Sequence, residues 1–85
     1  MVMTKTEILQ SALAAREADV LGYQINIDNY NLAIAKINAE HQGNEDLAAF
    51  REELQQRLAE EKRQQLRTII IRDVIADQLS PTETP

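Results

Sequence analysis

Between Thr4 and Pro81 the chain has no proline, and its helix-forming run stops cleanly in only one place, His41-Gln42-Gly43-Asn44-Glu45-Asp46. Gly43 can take the left-handed conformation that closes a helix. Asn44 is then a good N-cap, and Glu45 and Asp46 put negative charge where the next helix dipole favours it. The start is marked as clearly. Thr4-Lys5-Thr6-Glu7 matches the capping box, in which a Thr hydroxyl and a Glu three residues later satisfy two free backbone N–H groups. These signals predict two helices of nearly equal length, about 5–41 and 45–79, closed as an antiparallel hairpin. The expected class is all-α, with one domain over 1–79 and a disordered tail over 80–85, where Ser80-Pro81-Thr82-Glu83-Thr84-Pro85 has nothing to bury.

Tyr23-Gln24-Ile25-Asn26-Ile27-Asp28-Asn29-Tyr30 tests that reading, because alone it alternates like a half-buried strand. Alternate steps of four and three along the first helix give Leu9, Leu13, Arg16, Val20, Tyr23, Ile27, Tyr30, Ile34, Ile37 and His41. Eight of these ten are bulky and apolar. A heptad seam that long outweighs a short alternation, so the stretch is helical. Ile25 belongs instead to a second ladder, Ala14, Ala18, Leu21, Ile25, Asp28, Leu32, Ala35 and Ala39, centred roughly 150° around the helix from the first. The first helix thus carries two apolar faces, and a hairpin partner covers only one.

In the second helix the apolar residues are Leu47, Ala48, Phe50, Leu54, Leu58, Leu66 and the dense run Ile69, Ile70, Ile71, Val74, Ile75 and Leu79. Around a turn near Gly43, facing residues have numbers adding to roughly 87. This pairs Ile37 with Phe50, Ile34 with Leu54, Ile27 with Leu58, Val20 with Leu66 and Leu13 with Val74, so large residues are expected to meet along the whole length. Arg16 is expected to reach Asp73 as a partly buried ion pair. The Ile69–Leu79 run has apolar side chains on more sides than one partner covers.

A chain of 85 residues is marginal alone unless stapled or associated. Without cysteine, neither a disulfide nor a thiolate metal site can be the staple. The expected remedy is a homo-oligomer, with a dimer forming a four-helix bundle through Leu21, Ile25, Leu32, Ile70 and Val74. The alternative is helix-to-helix docking on a larger protein.

Catalysis has no constellation to use. His41 is the single histidine and stands at a helix end, with only Glu40, Glu45 and Asp46 nearby. The pairs Glu52/Glu53 and Glu60/Glu61 are sequence neighbours and point to different sides of a helix. No phosphate-binding glycine loop is present. Neither an enzyme nor a cofactor is therefore expected. A formal charge of −5 argues against sequence-independent binding to nucleic acid. Charge is nonetheless uneven: from Lys62 onward four basic residues stand against three acidic. Lys62, Arg63, Arg67 and Arg72 therefore form the one candidate basic contact face for a nucleic-acid-associated regulator, against the simpler reading of a solvated surface. No apolar run approaches the ~20 residues of a membrane span. No signal peptide is visible, so a cytoplasmic location is expected.

Tyr23–Tyr30, with Ala12-Leu13-Ala14-Ala15-Arg16-Glu17-Ala18-Asp19-Val20-Leu21 upstream and Asp46-Leu47-Ala48-Ala49-Phe50-Arg51-Glu52-Glu53-Leu54 downstream, resembles small helical proteins of tailed bacteriophages and prophages over roughly Thr4 to Leu79. The resemblance implies a phage or prophage genomic setting more than an activity; with it, the expected location is the host-cell cytoplasm and the expected partner a host or phage protein. A modulator, an adaptor and a virion or assembly component are all compatible with it. It carries no functional residues to this chain.

Overall fold

A computed structural model describes residues 2–80. Helix α1 spans Lys5–Glu40, a single 3₁₀ turn follows at Glu45–Leu47, and helix α2 spans Ala48–Leu79. No strand occurs among the described residues. The protein is an all-α antiparallel hairpin. Tyr23–Tyr30 lies wholly inside α1.

The termini form for the reasons their residues give. The Thr4 hydroxyl accepts from the Glu7 N–H at 3.1 Å and the Glu7 carboxylate accepts from the Thr4 N–H at 2.8 Å, a complete capping box. At the other end the His41 N–H donates to the Ile37 carbonyl and the Asn44 N–H donates to the His41 carbonyl. Gly43, at φ +84°, makes the left-handed step between them. Asn44 Oδ1 accepts from the Asp46 N–H at 2.9 Å, but what it caps is the 3₁₀ turn. The α-helical ladder begins only at Ala48, three residues beyond the start expected from the cap.

Cross-hairpin hydrogen bonds fix the register. Asn26 Nδ2 donates to Glu61 at 2.7 Å, Arg51 to Asn38 Oδ1 at 2.9 Å, and Gln65 Nε2 to the Val20 carbonyl at 3.2 Å and to Gln24 Oε1 at 2.9 Å. These pairs match the expected register. The side chains that fill it do not match along the whole length. Among the described residues only Ile27, Ile37 and Leu54 are buried, at 5%, 8% and 6% exposure. Leu9, Leu13, Val20, Tyr23, Tyr30 and Ile34 are half-buried on the α1 seam. Continuing from Leu47 and Leu54 in steps of four and three, α2 turns Leu58, Glu61, Gln65, Thr68, Arg72, Ile75 and Leu79 toward α1, all half-buried.

Several expected pairs are therefore corrected. Gln65, not Leu66, stands against Val20, and Leu66 is exposed. Val74 is exposed rather than packed on Leu13, because the seam passes through Arg72 and Ile75. Phe50 is also exposed, with Leu47 and Arg51 turned inward on either side of it. Arg16 does not reach Asp73. It pairs with Asp19 at 3.0 Å on its own helix, while Asp73 is held by Arg72 at 3.1 Å. In both cases a partner within a turn is closer than one across the hairpin. Of the expected tail only Ser80 is described, its N–H closing α2 on the Ala76 carbonyl; 81–85 lie outside the described residues.

Candidate functional site

The five residues expected to meet a partner are all exposed: Leu21 by 61%, Ile25 by 52%, Leu32 by 67%, Ile70 by 56% and Val74 by 53%. They do not form one patch. On α1 the whole second ladder, from Ala14 to Ala39, is exposed and lies on the side turned away from α2. On α2, Leu66, Ile70 and Val74 follow one another at helical i, i+4 spacing on the side turned away from α1. Ile71, also exposed, widens that strip. The hairpin therefore has two apolar outer faces with the seam between them.

A helix of a soluble protein normally turns its apolar stripe inward. Fully burying a Leu or Ile side chain is worth about 1.5–3 kcal/mol. Seven exposed Leu, Ile and Val side chains on the two faces forgo most of that gain. Leu66 and Ile71 were not singled out in the sequence. Their signal was the four-three spacing counted from Leu47, which puts Glu61, Gln65, Thr68 and Arg72 on the seam and leaves Leu66 and Ile71 off it.

The basic side chains are dispersed. Arg72 is half-buried on the seam and bonded to Asp73. Arg63 is tied to Glu60 through Nε and Nη2, at 3.1 and 2.7 Å to the same oxygen. Lys62 and Arg67 are exposed but five residues apart, about 140° around the helix. Only Arg63 and Arg67 share a face. The four residues thus give a nucleic-acid phosphate backbone no single surface.

Electrostatics on α2 are local. The Gln64 amide, then Arg63, hold the Glu60 carboxyl below the ordinary glutamate range. The Glu53 carboxylate, then the Tyr30 hydroxyl across the hairpin, raise the Arg57 guanidinium above its ordinary value. Both groups are exposed, and both shifts follow from pairing rather than burial. Of the asparagines on α1, Asn26 and Asn38 are used across the hairpin, on Glu61 and Arg51, while Asn29 and Asn31 are exposed. His41 is exposed and joins the turn through its backbone.

Among the described residues no group of three or more His, Cys, Asp or Glu side chains is placed to hold a metal ion, and no helix is long and apolar enough to cross a membrane. Among the described residues two surface hollows stand out. One lies under the turn, between Ile37, Gly43, Leu47 and Arg51. The other lies on α1 over Gly22, walled by Ala18, Asp19, Tyr23, Ile25 and Asn26. Neither brings together a nucleophile and a base. Compared with protein families, curated proteins and solved structures, the chain matches none.

Proposed function

We propose that this is a small non-enzymatic interaction protein, encoded by a phage or prophage. It acts in the host cytoplasm by helix-mediated binding and self-association, as an adaptor or modulator. The observation that carries the reading is the pair of exposed apolar faces on opposite sides of one hairpin, Leu21/Ile25/Leu32 on α1 and Leu66/Ile70/Val74 on α2. An unassociated chain this small gains nothing from leaving both uncovered.

The placement of the faces also bears on how helices assemble. In a square four-helix bundle each helix meets two neighbours about 90° apart. Here the second face of α1 lies roughly 150° from the seam. That offset supports a layer in which a further helix packs on the far side of α1.

Light scattering and sedimentation on the intact chain at micromolar concentration test the reading. A mass above that of one chain is expected. Ile25→Asp with Leu32→Asp, or Ile70→Asp with Val74→Asp, should lower it without loss of helicity by circular dichroism. A monomer at every concentration that also captures no protein through either face sinks the proposal.

A further inference from the structure

The outer strip of α2 carries its charges in an order that the hairpin does not use. Arg63, Leu66, Ile70, Val74 and Asp77 step along the helix by three, four, four and three residues. At 100° per residue all five lie within about 40° of the Ile70 direction, which points away from the seam. The strip is therefore straight, and its spacing reads the same from either end about Ile70. Its chemistry does not. One end is basic, at Arg63, the other is acidic, at Asp77, and the apolar middle is exposed. Neither charge is committed across the hairpin. Arg63 uses Nε and Nη2 on Glu60 of its own helix, and Asp77 has no salt-bridge partner among the described residues.

We infer that a second copy of this chain covers this strip, α2 packing antiparallel on α2 about a two-fold axis at Ile70. The inference rests on the self-association proposed above and names its surface and geometry. A two-fold contact uses the same patch on both copies. Residues equally far before and after Ile70 then stand at one level. Ile70 meets its own copy, Leu66 of each chain meets Val74 of the other, and Arg63 of each meets Asp77 of the other. Both α1 helices lie on the outer sides, behind the strip, and do not enter the contact.

Charge selects both the occupant and its direction. A parallel pair would set Arg63 beside Arg63 and Asp77 beside Asp77, and like charges facing each other at a contact are unfavourable. Inversion sets each guanidinium against a carboxylate. A partner for this strip must carry the opposite order of charge around an apolar middle, and a copy turned end for end carries it by construction. Arg67 and Asp73 flank the strip on opposite edges and stay in water. The outer ladder of α1 offers no such order, because its one charge, Asp28, stands in the middle. The strip runs along about 21 Å of helix, so the contact belongs to the small, reversible class of interfaces and dilution should separate the copies.

Sedimentation equilibrium on charge-exchanged chains tests this. Arg63→Asp alone sets carboxylates against Asp77, and Asp77→Arg alone sets guanidiniums against Arg63. Each should weaken self-association roughly tenfold or more while helicity by circular dichroism is kept. An equimolar mixture of the two variants should recover the parent affinity, because a heterodimer restores both pairs. A local effect on the helix could not be repaired by mixing. The chain has no cysteine, so introduced thiols report on geometry without background. A disulfide needs Cα atoms within about 7 Å, so Ile70→Cys alone should cross-link to a dimer under mild oxidation and Arg63→Cys alone should not. Three results overturn the inference: either charge variant associating like the parent, a mixture no tighter than its components, or Arg63→Cys cross-linking as readily as Ile70→Cys. If one occurs while Ile25→Asp with Leu32→Asp dissociates the assembly, the proposed function stands and self-association runs through α1. A parent chain that stays monomeric but captures another protein through Ile70 and Val74 overturns the inference and leaves the adaptor reading standing. A chain monomeric throughout, with no captured partner, removes both.

Discussion

From mid-length to the turn, α1 and α2 meet through Ile27, Ile37 and Leu54, all buried; toward the free ends they meet through Arg16, Gln65, Thr68 and Arg72, none of them buried. Register, length and helix type are the same in both halves. Only the side chains turned onto the seam differ. In the closed half apolar α1 residues find apolar α2 residues. In the open half the α1 seam is apolar except at Arg16, while α2 offers an amide, a hydroxyl and a guanidinium before Ile75 and Leu79, and sends Leu66, Ile70 and Val74 outward. The open half has exchanged internal packing for external surface. Stability of the lone hairpin should be concentrated near the turn.

The strongest way to break the contrast is to empty the closed half. Leu54→Ala removes one of three buried side chains and should cost about 2–5 kcal/mol, read as a lowered urea midpoint of the far-ultraviolet signal. The same change at Leu13, which is half-buried, should cost clearly less. Equal losses would show that the halves are energetically alike.

The contrast should also yield to repair. Gln65→Leu places an apolar group against Val20 and gives up the hydrogen bonds to the Val20 carbonyl and Gln24. Burial is worth about 0.8 kcal/mol per CH₂, while one hydrogen bond contributes about 0.5–1.5 kcal/mol net. A rise in stability of about 1 kcal/mol in the open half is expected, measured as slower amide exchange around Val20. A fall would show that the polar zipper itself holds the two helices together there.

At the free end, Thr4→Ala removes the capping box and should cost about 1 kcal/mol. Exchange should quicken from Lys5 to about Leu13 and remain unchanged around Ile37. The smallest effect concerns acid. Because the Glu60 carboxyl is held down in the folded chain, its contribution is present above the ordinary glutamate value and fades as pH falls through the lower folded value. An exposed pair contributes little. Glu60→Gln should flatten the acid limb of the melting profile slightly, and a steeper limb would contradict the assignment.

Much of this fold could be read in the residues. The capping box, the Gly43 turn and the α1 seam each rest on a local chemical requirement that the side chains state directly. The α2 seam could not be read from hydrophobicity, which points at Phe50, Leu66 and Val74. What decides burial there is the angle at which α2 leaves the turn, set by the 3₁₀ step from Glu45 to Leu47. Counting in heptads from Leu47 recovers Leu54, Leu58, Gln65, Thr68 and Arg72, polar or not. The exposure of Ile25 and Leu32 was legible because a two-helix pair has only one seam. The Gly22 hollow was not, since a glycine inside a helix states a cost without stating a purpose.

Gly43 has a further consequence, in the order of folding. Because facing residues lie symmetrically about the turn, the chain loop that each contact closes lengthens steadily from Ile37 out to Leu9. Loop-closure entropy grows with that length. The hairpin should therefore close from Gly43 outward, with Ile37 and Leu54 joined before Arg16 meets the Arg72 end. Substitutions at the turn should then slow folding, while those near the free ends should mainly hasten unfolding.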